Sequence, residues 1–214
     1  MKKQSLTLDE TRAMFMHVAQ EMVSKQDLLT QADKAIGDGD HGIGMTRGFE
    51  AVLQKLNQKN FDSVGAMLQD IGTTLLMSIG GAAGAIFGTW FRGAAASLMD
   101  KMIFDSGALA NMLTDGLSAV KNRGKARLGD KTMVDALAPA ACHATAMKGH
   151  SLEEALAAAT KAAQEGLKTT KNMVATIGKA KSLGQRAIGY PDPGALSTYL
   201  ILSLMTEYLI SRDS

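Results

Sequence analysis

The chain has almost no cysteine. Cys142 is the one thiol in 214 residues, so no intrachain disulfide can form. Its neighbours Ala140, Ala141 and Ala144 predict a buried, inert side chain. Neither sign of charge dominates: 23 Lys and Arg against 21 Asp and Glu leave +2, too little to draw in nucleic acid or a membrane by charge. The opening residues, MKKQSLTLDE, turn polar and acidic where a secretory leader would be apolar, and no later apolar run reaches the length of a membrane span. A cytoplasmic protein with neither partner is expected. Aromatics make up only 5%, and the prolines are three, Pro139, Pro191 and Pro193. No strand pattern is visible, and the breaks along the chain fall to glycine and polar caps.

What is present favours helices: alanine, leucine and 14 methionines, side chains that lose little rotamer freedom in a helix or fill gaps between helices. TLDE at Thr7 has capping-box spacing and leads an apolar stripe through Met14, Val18, Met22 and Leu29. Further helices are expected from about Met45 to Leu56, from Phe61 to Met77, and from the diglycine at Gly80 to near Asp100, with Trp90 in the core. Others should run from Asp105 or Ser106 to about Arg123, from Thr132 with a kink at Pro139, from SLEE at Ser151, and over ALSTYLILSLMTEYLI. Eight helices and no strand make an all-α fold, an antiparallel bundle or barrel, with residues 1–214 as a single domain.

The chemistry-bearing residues lie between these helices. DKAIGDGDHGIG, Asp33 to Gly44, carries three carboxylates and a histidine among glycines. Asp33, Asp38 and Asp40 repel one another unless a cation lies among them. Magnesium suits hard oxygen ligands, whereas zinc fits worse, since the segment holds only one histidine and no cysteine. Capping the next helix is the plainer use of such acids, but one aspartate suffices for that. An EF-hand is excluded because its twelfth position is Phe49. GKARLGDKT, from Gly124, only approaches a Walker A loop: Asp130 precedes Lys131 and no strand leads into it. That turn and GGAAG, from Gly80, offer free N–H groups to an anion, although tight helix packing explains either alone. His17, His143 and His150 read as ordinary helix residues, and His41 as a candidate phosphate ligand. Together with the long segment IGKAKSLGQRAIGYPDPG, these features suggest a nucleotide or polyphosphate site in loops at one end of the bundle.

IGDGDHGIGMTRGF, LLMSIGGAAGAIFGTWF, GDKTMVDALAP and GKAKSLGQRAIGYPDPGALS, spread over Ile36 to Ser197, resemble the ADP-binding subunit L of dihydroxyacetone kinase. The resemblance implies a barrel of eight antiparallel helices with ADP or ATP at one end. It assigns two Mg²⁺ ions to Asp33, Asp38 and Asp40, and phosphate contacts to the turn His41, Gly42, Ile43, Gly44 and to Ala82 and Ala83. Gly124 and Met133 would surround the base, Asp192, Pro193 and Gly194 would close over the nucleoside, and Lys179 would be the basic residue of the long loop. Asp33, Asp38, Asp40, His41 and Lys179 would assist phosphoryl transfer with no side-chain nucleophile. The implied partners are a ketose-binding subunit K, a phosphohistidine protein that rephosphorylates the bound ADP, and a second copy of the chain as a homodimer. The same resemblance fits an ATP-dependent kinase for another short ketose or sugar acid, such as erythrulose, and an ADP-sensing regulator. The chain departs from the family at Gly44 (usually Asn), Ala83 (Ser), Lys179 (Arg) and Tyr190 (often His). Side-chain donors and a bidentate fork are lost while the acids remain, so nucleotide binding is expected to survive in altered strength.

Overall fold

The computed structural model describes residues 2–211. Thr7 opens the first helix, α1 (Leu8–Ser24), with both arms of the capping box made: its side chain accepts from the Glu10 N–H, and Glu10 accepts from the Thr7 N–H at 2.8 Å. Met14, Val18 and Met22 are buried as the stripe requires, but Leu29 belongs to a second helix, α2 (Gln26–Ile36). The junction at Lys25 has no side-chain cap, so the chain bends there without any of the residues that mark a helix start.

The remaining helices are α3 (His41–Gln58), α4 (Val64–Ser78), α5 (Gly81–Ala95), α6 (Ser106–Gly124), α7 (Val134–Ala146, with Pro139 inside), α8 (Leu152–Thr170) and α9 (Pro193–Ser211). Ser63, Asp105 and Ser151 cap α4, α6 and α8 through their side chains. Among the described residues there are thus nine α-helices where the sequence led us to expect eight. Strands also occur: β1 (Ser5–Thr7) pairs antiparallel with β2 (Ile103–Asp105), Leu6 opposite Phe104. Both of these side chains are buried, so the pair pins the start of α1 beside the start of α6. Three residues are too few for an alternation to show in the sequence.

From α3 onward each helix packs against its successor, α1 packs against α3, and α9 returns to α1. Eight helices therefore close a ring, and α2 lies outside it against α3 and α9. Its interior is a contiguous apolar cluster in which Trp90, Phe87 and Phe91 are fully enclosed. Gly72 and Gly88 let α4 and α5 touch: a Cβ on Gly88 would lie 2.7 Å from that of Leu76. Cys142 is exposed, contrary to the buried thiol expected, because Ala140, Ala141 and Ala144 form the inward face of α7 and residue 142 falls on the outward one. No helix among the described residues is long and apolar enough to cross a membrane.

In an antiparallel ring alternate connections share an end. Those at 37–40, 79–80, 125–133 and 171–192 therefore gather together, and these are the glycine-rich segments of the sequence.

Candidate functional site

The four connections enclose a cleft of about 470 Å³. Its acidic corner is built from α2 and the start of α3. Asp33, in the last turn of α2, is buried, and its Oδ2 accepts the His41 N–H at 3.1 Å. Asp40 occupies the N-cap position of α3 yet makes no side-chain cap bond. The capping duty thus falls to one carboxylate reaching across from the preceding helix, and the Asp40 side chain takes no part in it. Each of the three aspartates offers an oxygen, and these oxygens lie within 4.8 Å of one another, a spacing and donor set that fit a divalent cation of the hard, oxygen-seeking kind.

Lys179, at the start of a 3₁₀ segment (Lys179–Ala187), points into the same place. Its Nζ donates to both Asp38 oxygens at 2.6 Å and to those of Asp40 at 3.1 and 3.2 Å. The hydrogen bonds raise the lysine pKa and lower that of Asp38. Here a protein ammonium neutralises the acids a metal ion would otherwise bridge. Lys179→Met is therefore expected to tighten Mn²⁺ binding to the nucleotide-free protein about three- to tenfold, read by electron paramagnetic resonance. Unchanged or weaker Mn²⁺ binding would show that the ammonium does not compete.

His41 is buried, and burial lowers its pKa, leaving a neutral ring at neutral pH. Its Nε2 lies 2.8 Å from Ser197 Oγ, a contact that ties the acidic corner to the first turns of α9. Facing it, Gly80 (φ +80°) and Gly81 (φ +56°) turn the chain sharply into α5, a conformation that favours glycine. Helix α5 starts without a side-chain cap, so its first N–H groups are free for an anion, and Ala82 and Ala83 line the cleft there.

The 125–133 connection is held from within. Asp135 Oδ1 accepts the Gly129 N–H at 2.5 Å and Oδ2 the Thr132 N–H at 2.7 Å. Lys131 is buried, and its Nζ donates to the Thr170 and Tyr190 carbonyls at 2.5 and 2.6 Å. The lysine of GDKT is thus a tether for the 171–192 loop and leaves the phosphate-loop likeness superficial. Burial lowers its pKa. Asp192 Oδ2 caps α9 through the Ala195 N–H at 2.7 Å, and burial pushes the pKa of this acid up to about 7. A small separate apolar cluster, Ile36, Ala175, Ala180 and Ala187, packs the loop against the end of α2.

Of the residues singled out in the sequence, Asp33, Asp40, His41, Ile43, Gly44, Ala82, Ala83, Met133, Lys179, Asp192, Pro193 and Gly194 line the cleft. Asp38 stands at its rim, joined to Asp40 through Lys179. Gly42 faces α2, where a Cβ would lie 2.6 Å from the Thr30 nitrogen, and Gly124 lies behind Ile86. Sequence reasoning passed over Arg47 and Phe87, which also line the cleft, and Ser197. Each lies within a quoted motif, and helical spacing was the available signal: Arg47 is three residues beyond Gly44, Phe87 four beyond Ala83 and Ser197 four beyond Pro193.

The DAK2 domain pattern matches residues 35–207. The chain is 38% identical over 184 residues to the PEP-dependent dihydroxyacetone kinase ADP-binding subunit DhaL of Escherichia coli, covering 85% of this chain and 88% of that protein. It is 36% identical over 207 residues to the corresponding subunit of dihydroxyacetone kinase 2 of Listeria innocua, covering 92% and 94%. In fold it resembles the dihydroxyacetone kinase of C. freundii, crystallised with AMP-PNP and Mg²⁺, with a TM-score of 0.74 at 24% identity. That match spans 96% of this chain and 35% of the other.

Proposed function

The chain belongs to the DAK2 domain family, and on that footing we propose that it is the nucleotide-carrying subunit of a dihydroxyacetone-type kinase. In this reading the whole chain acts as one cytoplasmic unit that holds ADP or ATP with two Mg²⁺ ions and passes a phosphoryl group to a ketose bound on a separate subunit K. A phosphohistidine protein restores the nucleotide. The observation that carries the reading is the acidic corner: Asp38 and Asp40 stand with Asp33 opposite the uncapped start of α5. Acids on one side and free N–H groups on the other suit a metal-bridged polyphosphate.

The cleft is of a size usual for small-molecule sites. Ile79, Ile86, Phe87 and Met133 supply apolar wall for a base, with Asp192, Pro193 and Gly194 beside them. Asp33, Asp38 and Asp40 would hold Mg²⁺, which would supply positive charge to offset that of the phosphates during transfer. Asp33, fixed by the His41 N–H, orients one ligand oxygen. His41, neutral and held at Ser197, keeps α3 and α9 in register across the site. Lys179, once released from the acids, would be free to turn its ammonium toward the phosphates.

The test is to purify the chain, denature it and identify the released nucleotide, before and after dialysis against a chelator. The cognate ketose-binding subunit and dihydroxyacetone are then added. ADP that leaves only on chelation, and ketose phosphorylation only in the mixture, are expected. A chain that neither retains nor binds adenine nucleotide in the presence of Mg²⁺ would sink the proposal.

A further inference from the structure

Arg47 lies on α3 nearly two turns beyond His41 and lines the cleft. Its Nε donates to the Ser78 carbonyl at 2.5 Å and its Nη2 to the Ile79 carbonyl at 2.5 Å. These belong to the last residue of α4 and to its C-cap, the end of a helix where unpaired carbonyls concentrate negative potential. One residue later, at Gly80, the chain turns into α5 and presents N–H groups instead. The cleft wall therefore passes from acceptors to donors within about one turn of chain, and an anion resting on the donors lies beside carbonyls that repel it. A guanidinium clamped onto those carbonyls removes the repulsion, and its planar fork holds the turn in one shape.

The face of α3 is cut to allow this reach. A Cβ on Gly44 would lie 3.2 Å from the Ile79 oxygen, and one on Gly48 would lie 3.1 Å from Ile79 Cδ1 and closer still to Cγ1. Glycine at both positions brings the helix against Ile79 and leaves Arg47, between them, within hydrogen-bonding distance of the carbonyls. We propose that Arg47 is a positioning residue for the polyphosphate. It fixes the turn from Ile79 to Ala83 and cancels the carbonyl end of α4, so that nucleoside di- and triphosphates are preferred over monophosphates.

This inference rests on the nucleotide reading of the cleft. It is tested by calorimetric titration of ADP and AMP, each with Mg²⁺, into the wild-type chain, Arg47→Met and Arg47→Lys. Arg47→Met should weaken ADP roughly tenfold or more and AMP by less than about threefold. Arg47→Lys keeps the charge but not the fork, and should lower the ADP-to-AMP preference by an intermediate factor. Unchanged ADP affinity, or equal losses for the two nucleotides as general loosening of the fold would give, overturns the assignment. If Arg47→Met fails to fold, an unchanged preference in Arg47→Lys overturns it equally. A wild-type chain that binds neither nucleotide removes the nucleotide reading itself, and this inference with it.

Discussion

Asp38→Ala is expected to weaken Mg²⁺-dependent ADP binding by at least about a hundredfold, roughly 2.7 kcal/mol, while leaving the melting temperature unchanged. The two effects separate because the Asp38 side chain is 56% exposed and its protein partner is the equally accessible ammonium of Lys179. Exposed ion pairs of that kind add little to stability. Its neighbour Asp33 makes the contrast. That carboxylate is 6% exposed and caps α3 through the His41 N–H, so Asp33→Ala should lose the ligand and also about 1 kcal/mol of stability. Titration calorimetry with ADP, with and without a chelator, together with thermal melts of both variants, makes the comparison. Undiminished ADP affinity in Asp38→Ala would remove the acidic corner from the nucleotide site. Equal melting shifts in the two variants would mean that Asp33 is not the cap.

The acidic corner was legible in the sequence because its composition is costly: three carboxylates among glycines demand a use beyond capping. The helices were legible where a capping side chain marks a start, as at Thr7, Asp105 and Ser151. At Lys25, which joins α1 to α2, the chain turns with neither such a cap nor a glycine, and there the reading failed. One helix was expected where two exist. The β1–β2 pair escaped because its pairing joins residues about a hundred apart in the chain, over strands too short to carry a period. Cys142 misled because an alanine-rich neighbourhood indicates a helix near the core without indicating which face a given residue takes. The roles of Lys131, Arg47 and Ser197 depend on carbonyls and an imidazole brought in from other helices, and no local pattern encodes those.

Gly42 and Gly124 show how two glycines of the same motifs differ once their surroundings are known, and they predict melting shifts of opposite sign. Gly42 lies in the first turn of α3, pressed on α2: a Cβ there would lie 2.6 Å from the Thr30 nitrogen and closer still to the Gln26 carbonyl oxygen. Both are backbone atoms of a helix and have no rotamer through which to yield. Gly42→Ala must therefore push α3 off α2, with an overpacking cost of about 1–3 kcal/mol and a drop in melting temperature of roughly 3–10 °C for a chain of this size. The same displacement separates His41 from Asp33, so ADP affinity should fall with stability although Gly42 itself does not line the cleft. At Gly124 the added Cβ would meet only the terminal methyl of Ile86, at 3.2 Å, which has room to move by a rotamer adjustment. Alanine there gains helix propensity in the last turn of α6, up to about 1 kcal/mol, so Gly124→Ala should melt at or above the wild-type temperature. Melts of the two variants side by side decide the matter. A stable Gly42→Ala variant with intact ADP binding would mean that α2 and α3 are not in the contact described, and the link it provides between packing and the acidic corner would be lost.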